Sequence, residues 1–502
     1  MSVIGYIPLD ERPVNTRYPA MIAQIAAAEL RQPPAELLSN RREPGDHAGL
    51  VAWLAAQAPQ LDGLIVSLEQ LAHGGLIPSR ISHEPATTIL NRLEMLRKLR
   101  SQYPHLPLYA FSVITRVSNA NDAVEEPDYW AAYGERLYRF SQLIDRQRHG
   151  QTVAAELAAL ERELPAELRR DMLLRRLRNH VINGAALHML AEGIFDLLVL
   201  SSDDTSPFGL PARERQFLAE WADLTNVERL LMYPGADEIG CALLARMLNE
   251  QAGIKPKIAL QYVPPAAAAN IAAYEDGPVS ATVERQIMAC GAVIAADADA
   301  EIWLGVHTPF AHRDEWSAER AAADRSERRV AIRDLVRAAQ AQHIRGRAVA
   351  IADVAYPNGA DPVLIAALRN GLELPQLTAY GAWNTAGNTI GTVIAQACAV
   401  QHVTTDQGRA AQERFLVQRF VEDWGYQQLV RRALRNRLRE IHNMAEPATP
   451  EVYAESIAWI EQELNTAIGQ LPGFADRWRI RPGSVSLPWR RTFEVDFELE
   501  QV

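Results

Sequence analysis

The chain has 502 residues, about three times the length of a typical domain, with 48% hydrophobic and 23% charged residues, a globular composition that excludes a disordered or fibrous protein. Fifty-one basic and 62 acidic side chains give a formal charge of −11, which argues against general binding to a phosphate backbone. No stretch nears the roughly 20 apolar residues that span a bilayer.

The chain opens on Val3-Ile4-Gly5-Tyr6-Ile7, which reads as a first strand rather than a signal peptide, so a cytoplasmic location is expected. Further strand-length apolar runs lie at 35–39, 63–68, 107–114, 196–201, 229–233, 257–262, 301–306, 348–353 and 377–381, most of them followed by a polar loop and a helical pattern. Strands alternating with helices imply βαβ units, and runs such as Leu197-Leu198-Val199-Leu200 suit strands buried on both faces. The expected fold is α/β, with mostly parallel sheets in two doubly wound, Rossmann-like lobes at 1–225 and 226–405; one elaborated (β/α) barrel is the alternative.

Residues 129–193 read as a helical insertion broken at Pro165, with Arg169, Arg170, Arg175, Arg176 and Arg178 on a solvated face. From 406 to 502 the chain reads as a helical extension. Thr449-Pro450-Glu451 has the order of a helix start, and the alternation from Thr492 to Leu499 predicts an exposed strand. Cys241, Cys290 and Cys398 are too scattered for a disulfide framework or a ligand pair, and Cys290 shares a helical spacing with Val283 and Ile287, as a core residue would.

In open parallel folds ligands bind beyond the carboxyl ends of strands, so the residues following each run carry the functional argument. Asp10, Glu11, Arg12 and Asn15 follow the first. Glu69, His73 and Arg80 follow the third, and Arg116, Asn119 and Asn121 the fourth. Asp203-Asp204 ends the fifth and Asp237-Glu238 the sixth; His307 and Asp353 end later strands. Asn358 lies in the next loop, and Trp383, Asn384 and Asn388 follow the last run. Adjacent carboxylates crowd one another and raise a pKa toward a catalytic range. Glu69 and His73, four apart, share a helical face. Asp361-Pro362 reads as a helix N-cap, so Asp361→Asn is expected to be silent. Motifs for P-loop, nucleophile-elbow, zincin and dinucleotide-binding proteins are absent.

Pro8-Leu9-Asp10-Glu11-Arg12-Pro13-Val14-Asn15, Ser202-Asp203-Asp204, Gly235-Ala236-Asp237-Glu238 and Trp383-Asn384-Thr385-Ala386-Gly387-Asn388-Thr389 together resemble the bacterial domain-of-unknown-function family 4127. The resemblance runs nearly end to end. It implies company with carbohydrate-degrading functions but brings no established activity.

The residues themselves point to a carbohydrate-active hydrolase, a glycosidase acting on a small-molecule or oligosaccharide substrate. It would need one protonated carboxylic acid and a second carboxylate. Glu238 or Asp204 suits the acid and Asp10 the second carboxylate, with Asp203 and Asp237 completing the catalytic set. Glu11, Arg12, Asn15, Glu69, His73, Arg80, Arg116, Asn119, His307, Asp353, Asn358, Trp383, Asn384 and Asn388 are expected to bind substrate, with Trp383 as a platform for a sugar face. Asp10, Asp204, Glu238, Asp353 and Asn384 are expected in one cavity. No cofactor, nucleic acid or membrane is expected, and the oligomeric state stays open. The alternative is a Mg²⁺- or Mn²⁺-dependent hydrolase or sugar isomerase using Glu69, His73, Asp204, Glu238 and His307. The third reading is a non-catalytic, two-lobed sugar-binding protein.

Overall fold

Apolar runs too short to shield themselves must be covered on both faces, and here they assemble into two open parallel sheets rather than one barrel. The computed structural model describes residues 2–203, 205–310 and 326–502. The chain divides into two compact units, one of residues 1–11 with 29–240 and the other of 12–28 with 241–502.

In the first unit β1 (Val3–Ile7), β2 (Glu29–Arg31), β3 (Gly63–Ser67), β4 (Leu108–Ile114), β5 (Leu197–Ser202) and β6 (Leu230–Pro234) run in the order β2-β1-β3-β4-β5-β6. The helix α1 (Pro13–Ile25), between β1 and β2 in sequence, belongs to the second unit. Residues 35–39 are not the expected strand. Pro33-Pro34 leads into a single 3₁₀ turn at Ala35–Leu37, because proline fixes the backbone and offers no amide to a ladder. The strand is instead the polar β2, an edge that carries no apolar signal. β6, expected to open the second lobe, pairs with β5, so the first unit ends at Gly240 rather than near residue 225.

The helices of this unit are α2 (His47–Gln57), α3 (Leu76–Ile81), α4 (Ala86–Gln102), α5 (Trp130–Arg148), α6 (Ala154–Glu163), α7 (Ala166–Ala191) and α8 (Leu210–Thr225), with α5, α6 and α7 forming the insertion between β4 and β5. The insertion's arginine face is inverted from expectation. Arg175, Arg176 and Arg178 are buried, while Leu174 and Leu177 are exposed. Each buried guanidinium has acceptors: Arg176 meets Glu214 at 2.6 Å and the Thr115 carbonyl at 3.0 Å, and Arg178 meets the Ser79 carbonyl at 2.7 Å. A charge so matched can leave water.

The second unit starts within α9 (Ile239–Ala252). Its sheet contains β7 (Lys257–Val263), β8 (Val293–Ile294), β9 (Ile302–His307), β10 (Ala348–Asp353) and β11 (Ala379–Gly381), ordered β11-β10-β9-β7-β8. The helices are α10 (Val279–Ala289), α11 (Ser326–Ile344), α12 (Pro362–Gly371), α13 (Ala386–Val400), α14 (Asp406–Phe420), α15 (Arg431–His442) and α16 (Pro450–Ile468). A π-helical stretch, Val421–Val430, joins α14 to α15. The region after 406 is part of this unit's core: Phe420 stacks on Tyr380 of β11 at 4.3 Å between ring centroids. Thr449 caps α16 through the Val452 amide at 3.3 Å, as its sequence predicts. The alternating tail is not an exposed strand. Val495, Phe497 and Leu499 are buried; the tail pairs antiparallel through β13 (Leu499–Gln501) with β12 (Trp478–Ile480) and through a single bridge between Asp496 and Ser486.

The segment after β6 returns to β1. A Cβ placed on Gly240 would lie 2.0 Å from the Tyr6 hydroxyl oxygen, closer than packing permits. Gly240→Ala is therefore expected to lower stability by about 1–3 kcal/mol in urea unfolding. Tyr6→Phe in the same chain should recover part of that loss; strictly additive effects would show that this contact is not the cause.

Candidate functional site

The sequence-predicted residues divide between the units. Asp10, Glu11, Glu69, His73, Arg80, Arg116, Asn119, Asp203, Asp237 and Glu238 belong to the first, and Arg12, Asn15, His307, Asp353, Asn358, Trp383, Asn384 and Asn388 to the second. Asp204 lies outside the described residues.

In the first unit, Asp10 beyond β1 and Asp237 and Glu238 beyond β6 are buried, at 1%, 5% and 0% exposure. Gly235 has φ +132°, and a Cβ there would meet the Glu238 carboxylate at 2.1 Å, so glycine lets that carboxylate lie against the backbone at the strand end. Glu11 secures the segment around residue 40, accepting from Ser39 Oγ at 2.7 Å and from the Arg41 amide at 2.6 Å. Arg80 and Arg116 share Glu125 at 2.8 and 3.0 Å. Arg80 also pairs with Asp203, and Arg116 with Glu126 at 3.4 Å. Burial raises the Glu126 pKa against the pull of both arginines. Asn119 is exposed.

Glu69 and His73 occupy one π-helical turn, Glu69–His73, a geometry that recurs at functional sites. Burial pushes the Glu69 carboxyl up to about 7, against hydrogen bonds to the Val113 amide and to Ser112. Ser112 Oγ lies 2.8 Å from both Glu69 Oε1 and Asn183 Oδ1 and has one proton to give. A protonated Glu69 donating to Ser112, which donates to Asn183, satisfies all three. Burial, followed by the Arg178 and Arg92 charges, drives the His73 pKa far down, and its Nδ1 has no partner among the described residues.

The second unit holds a buried ionic group at adjacent strand ends. His307 ends β9 and Asp353 ends β10. Asp361 caps α12, accepting from the Val363 amide at 2.8 Å. It also accepts from His307 Nε2 at 2.9 Å and Arg328 Nε at 2.8 Å, while its own amide donates to Asp353 Oδ2 at 2.6 Å. Burial pushes Asp353 up to about 7. Burial opposes ionisation of Asp361 too, but His307 and Arg328 hold it well below the usual carboxylate range. Burial likewise opposes charge on His307, and the Asp361 hydrogen bond with the Asp353 and Asp361 charges overcomes it, raising that pKa.

The other second-unit residues have the following places. Arg12 stacks over Trp489 at 4.8 Å and faces Glu494 at 3.5 Å, and Asn15 is buried in α1. Trp383 is 3% exposed, its ring edge-to-face with Phe493 at 6.2 Å, so in this structure it is packed as core rather than presented as a sugar platform. Asn358 and Asn384 have φ of +58° and +63°, and the Asn358 amide donates to the Asn384 carbonyl at 2.9 Å. The Asn388 amide donates to the capping Thr385 hydroxyl at 3.4 Å. Among the described residues, no three His, Cys, Asp or Glu side chains gather as a metal would require. Of the alternative ligand set, His307 lies in the second unit while Glu69, His73 and Glu238 lie in the first. Sequence reasoning missed Arg328, Glu125 and Glu126, whose partners lie 33, 45 and 10 residues away; no local spacing announces such pairs.

Residues 4–498 match a family described as "Protein of unknown function (DUF4127)". The chain belongs to that family. No curated protein matches it. Among solved structures, GanP, a glucose-galactose binding protein from Geobacillus stearothermophilus, is similar at 8% identity and a TM-score of 0.15, over 79% of this chain and 91% of that one. A likeness that slight carries no argument.

Two outcomes follow from the geometry. Asp361→Asn keeps the cap but strips the counter-charge from buried Arg328 and His307. It should cost about 3–5 kcal/mol, read as a lower urea midpoint, where helix capping alone predicted silence. The second concerns Glu69, whose folded pKa of about 7 exceeds the ordinary 4.5. The folded chain keeps this proton longer, so its contribution to stability is complete below about 4.5 and is lost as pH rises toward 7, by roughly 3 kcal/mol. Glu69→Gln should remove that decline when urea unfolding is compared at pH 5 and pH 8; an identical decline in both proteins would clear Glu69.

Proposed function

We propose that the protein is a carbohydrate-active hydrolase, a glycosidase, whose catalytic carboxylates come from strand-end loops of the first unit. The observation that carries this reading is the placement of Glu238. Its carboxylate is buried against Gly235, and the segment bearing it runs back to β1, where Gly240 meets Tyr6. That return brings Glu238 toward the strand that Asp10 follows, although β1 and β6 are far apart in the sheet order. Glycoside cleavage requires an acid that protonates the leaving oxygen and a second carboxylate that attacks the sugar or activates water. In this reading Glu238 is the acid and Asp10 the second carboxylate. Asp203, paired with Arg80, anchors the chain just after β5.

A panel of aryl glycosides would first identify a responsive substrate. On it, Glu238→Gln and Asp10→Asn should each lower kcat by about 10²–10⁴-fold while thermal unfolding stays near that of the parent. Full turnover by both variants would remove these residues from the mechanism. Activity lost to EDTA and restored by Mg²⁺ or Mn²⁺ would replace the glycosidase reading with a metal-dependent one. Sugar binding without turnover of any glycoside would favour a binding protein.

A further inference from the structure

The helix α15 turns a row of arginines to one side of the second unit. Arg431, Arg435 and Arg439 recur every four residues and share a face, with Arg432 beside them, while Leu434 and Leu438 are buried in the core. The four guanidiniums line a cavity of about 480 Å³, within the range of small-molecule sites. Its other walls, Tyr274, Pro357, Asn358, Gln427, Gln428 and Asn436, are uncharged.

Several contacts hold this cavity in shape. Arg431 stacks on the Phe493 ring at 4.8 Å and donates through Nη1 to Gln427 Oε1 at 2.8 Å. Gln427 Nε2 in turn donates to the Phe493 carbonyl at 2.8 Å. Gln427 and Gln428 lie in the π-helical stretch Val421–Val430. Gly359, with φ +139°, lets the loop after β10 press onto them: a Cβ there would lie 2.5 Å from Gln428 Nε2. Asn358 ties that loop to the one after β11. The cavity therefore sits beyond the carboxyl ends of β10 and β11, where open parallel sheets bind ligands.

Two charges in this cavity lack the ion pair that a neighbour on the same helix has. Arg437, on another face of α15, pairs with Glu455 at 2.6 Å. Arg435 and Arg439 make no ion pair among the described residues, and the buried Nε atoms of Arg431 and Arg435 have no acceptor among them. Burial lowers the Arg431 pKa, and the neighbouring Arg435 and Arg491 charges add to this against the opposing pull of Tyr426 and Glu446. Uncompensated guanidiniums at a concave, polar site call for an oxyanion.

We propose that this cavity binds an anionic, hydroxyl-bearing small molecule, a sugar carrying a carboxylate or a phosphate. Arg435 and Arg439 take the oxyanion, and Asn358, Gln428 and Asn436 take hydroxyls. The formal charge of −11 disfavours a nucleic-acid polymer. Leu434 and Leu438 of α15 are already buried, so the helix offers a bilayer little apolar surface beyond Ile441. The site does not depend on the hydrolase reading, because its readout is binding.

The test is calorimetric titration of the full chain with digalacturonate, glucose 6-phosphate and neutral maltose, at about 50 and 300 mM salt. One anionic sugar should bind with unit stoichiometry, more weakly at high salt, and maltose should not. Preference for digalacturonate identifies a carboxylate ligand, and preference for glucose 6-phosphate a phosphate ligand. Arg439→Gln and the double variant Arg435→Gln/Arg439→Gln should weaken binding by about tenfold or more, while Arg437→Gln should leave it unchanged. Normal melting of the exposed-site variant Arg439→Gln separates lost binding from lost fold. Binding of neither anion, equal binding of maltose, or binding indifferent to Arg439→Gln would overturn the proposal.

Discussion

A charge removed from water must be met by an opposite charge or by hydrogen bonds, and this constraint decides how the loops of both units are arranged. In the second unit it centres on Asp361. One carboxylate caps α12, neutralises Arg328, holds His307, and through its own amide fixes Asp353. The ends of β9 and β10, the start of α12 and the helix carrying Arg328 are thereby joined at a single group. In the first unit the same constraint acts through Arg80 and Arg116, which share Glu125 and draw in Asp203 and Glu126.

The constraint also explains why some carboxyls are poised for proton transfer and others are not. Asp361 has two cationic partners and stays ionised, whereas Asp353 has mainly burial to contend with and is pushed up to about 7. Environments that separate neighbouring pKa values in this way are how protein sites create distinct acids and bases. Glu69 reaches about 7 by the same route, yet its hydrogen bonds run to Ser112 and Val113 within the first unit. A perturbed carboxyl can therefore serve a structural network as readily as a catalytic one. Glu238, held against Gly235 at the end of β6, differs because glycine there keeps room for the carboxylate itself.

The α15 cavity presents arginines that this rule leaves unpaired, since Arg439 is exposed and Arg435 only partly buried. Every arginine of α7 that leaves solvent finds carbonyls, carboxylates or a tyrosine hydroxyl, as Arg175, Arg176 and Arg178 do. Arg435 and Arg439 face a polar concavity instead, and the bracing of Arg431 by Gln427 and Phe493 keeps the row oriented. Order without internal compensation is what a ligand can complete.

Local physics made much of the fold legible. Doubly buried strands leave continuous apolar runs, so nine of the ten expected strands appear at or near their places. Caps announce helix starts, as Thr449 does, and the end-to-end motifs placed the chain in its family. Signals failed where tertiary partners override local pattern. β2 is a polar edge, α7 buries its arginines, and the tail's alternation is absorbed into a core. The residue types at the strand ends were readable because parallel topology sends those loops to a common side of each sheet. Their roles were not, because a role depends on partners such as Arg328 for Asp361 or Glu125 for Arg80. Sequence alone determined the doubly buried strands, helix caps such as Thr449 and the inventory of polar loops. The tertiary structure decided which charges are spent on one another and which are left facing a cavity, since electrostatic pairing depends on distance in space and not along the chain.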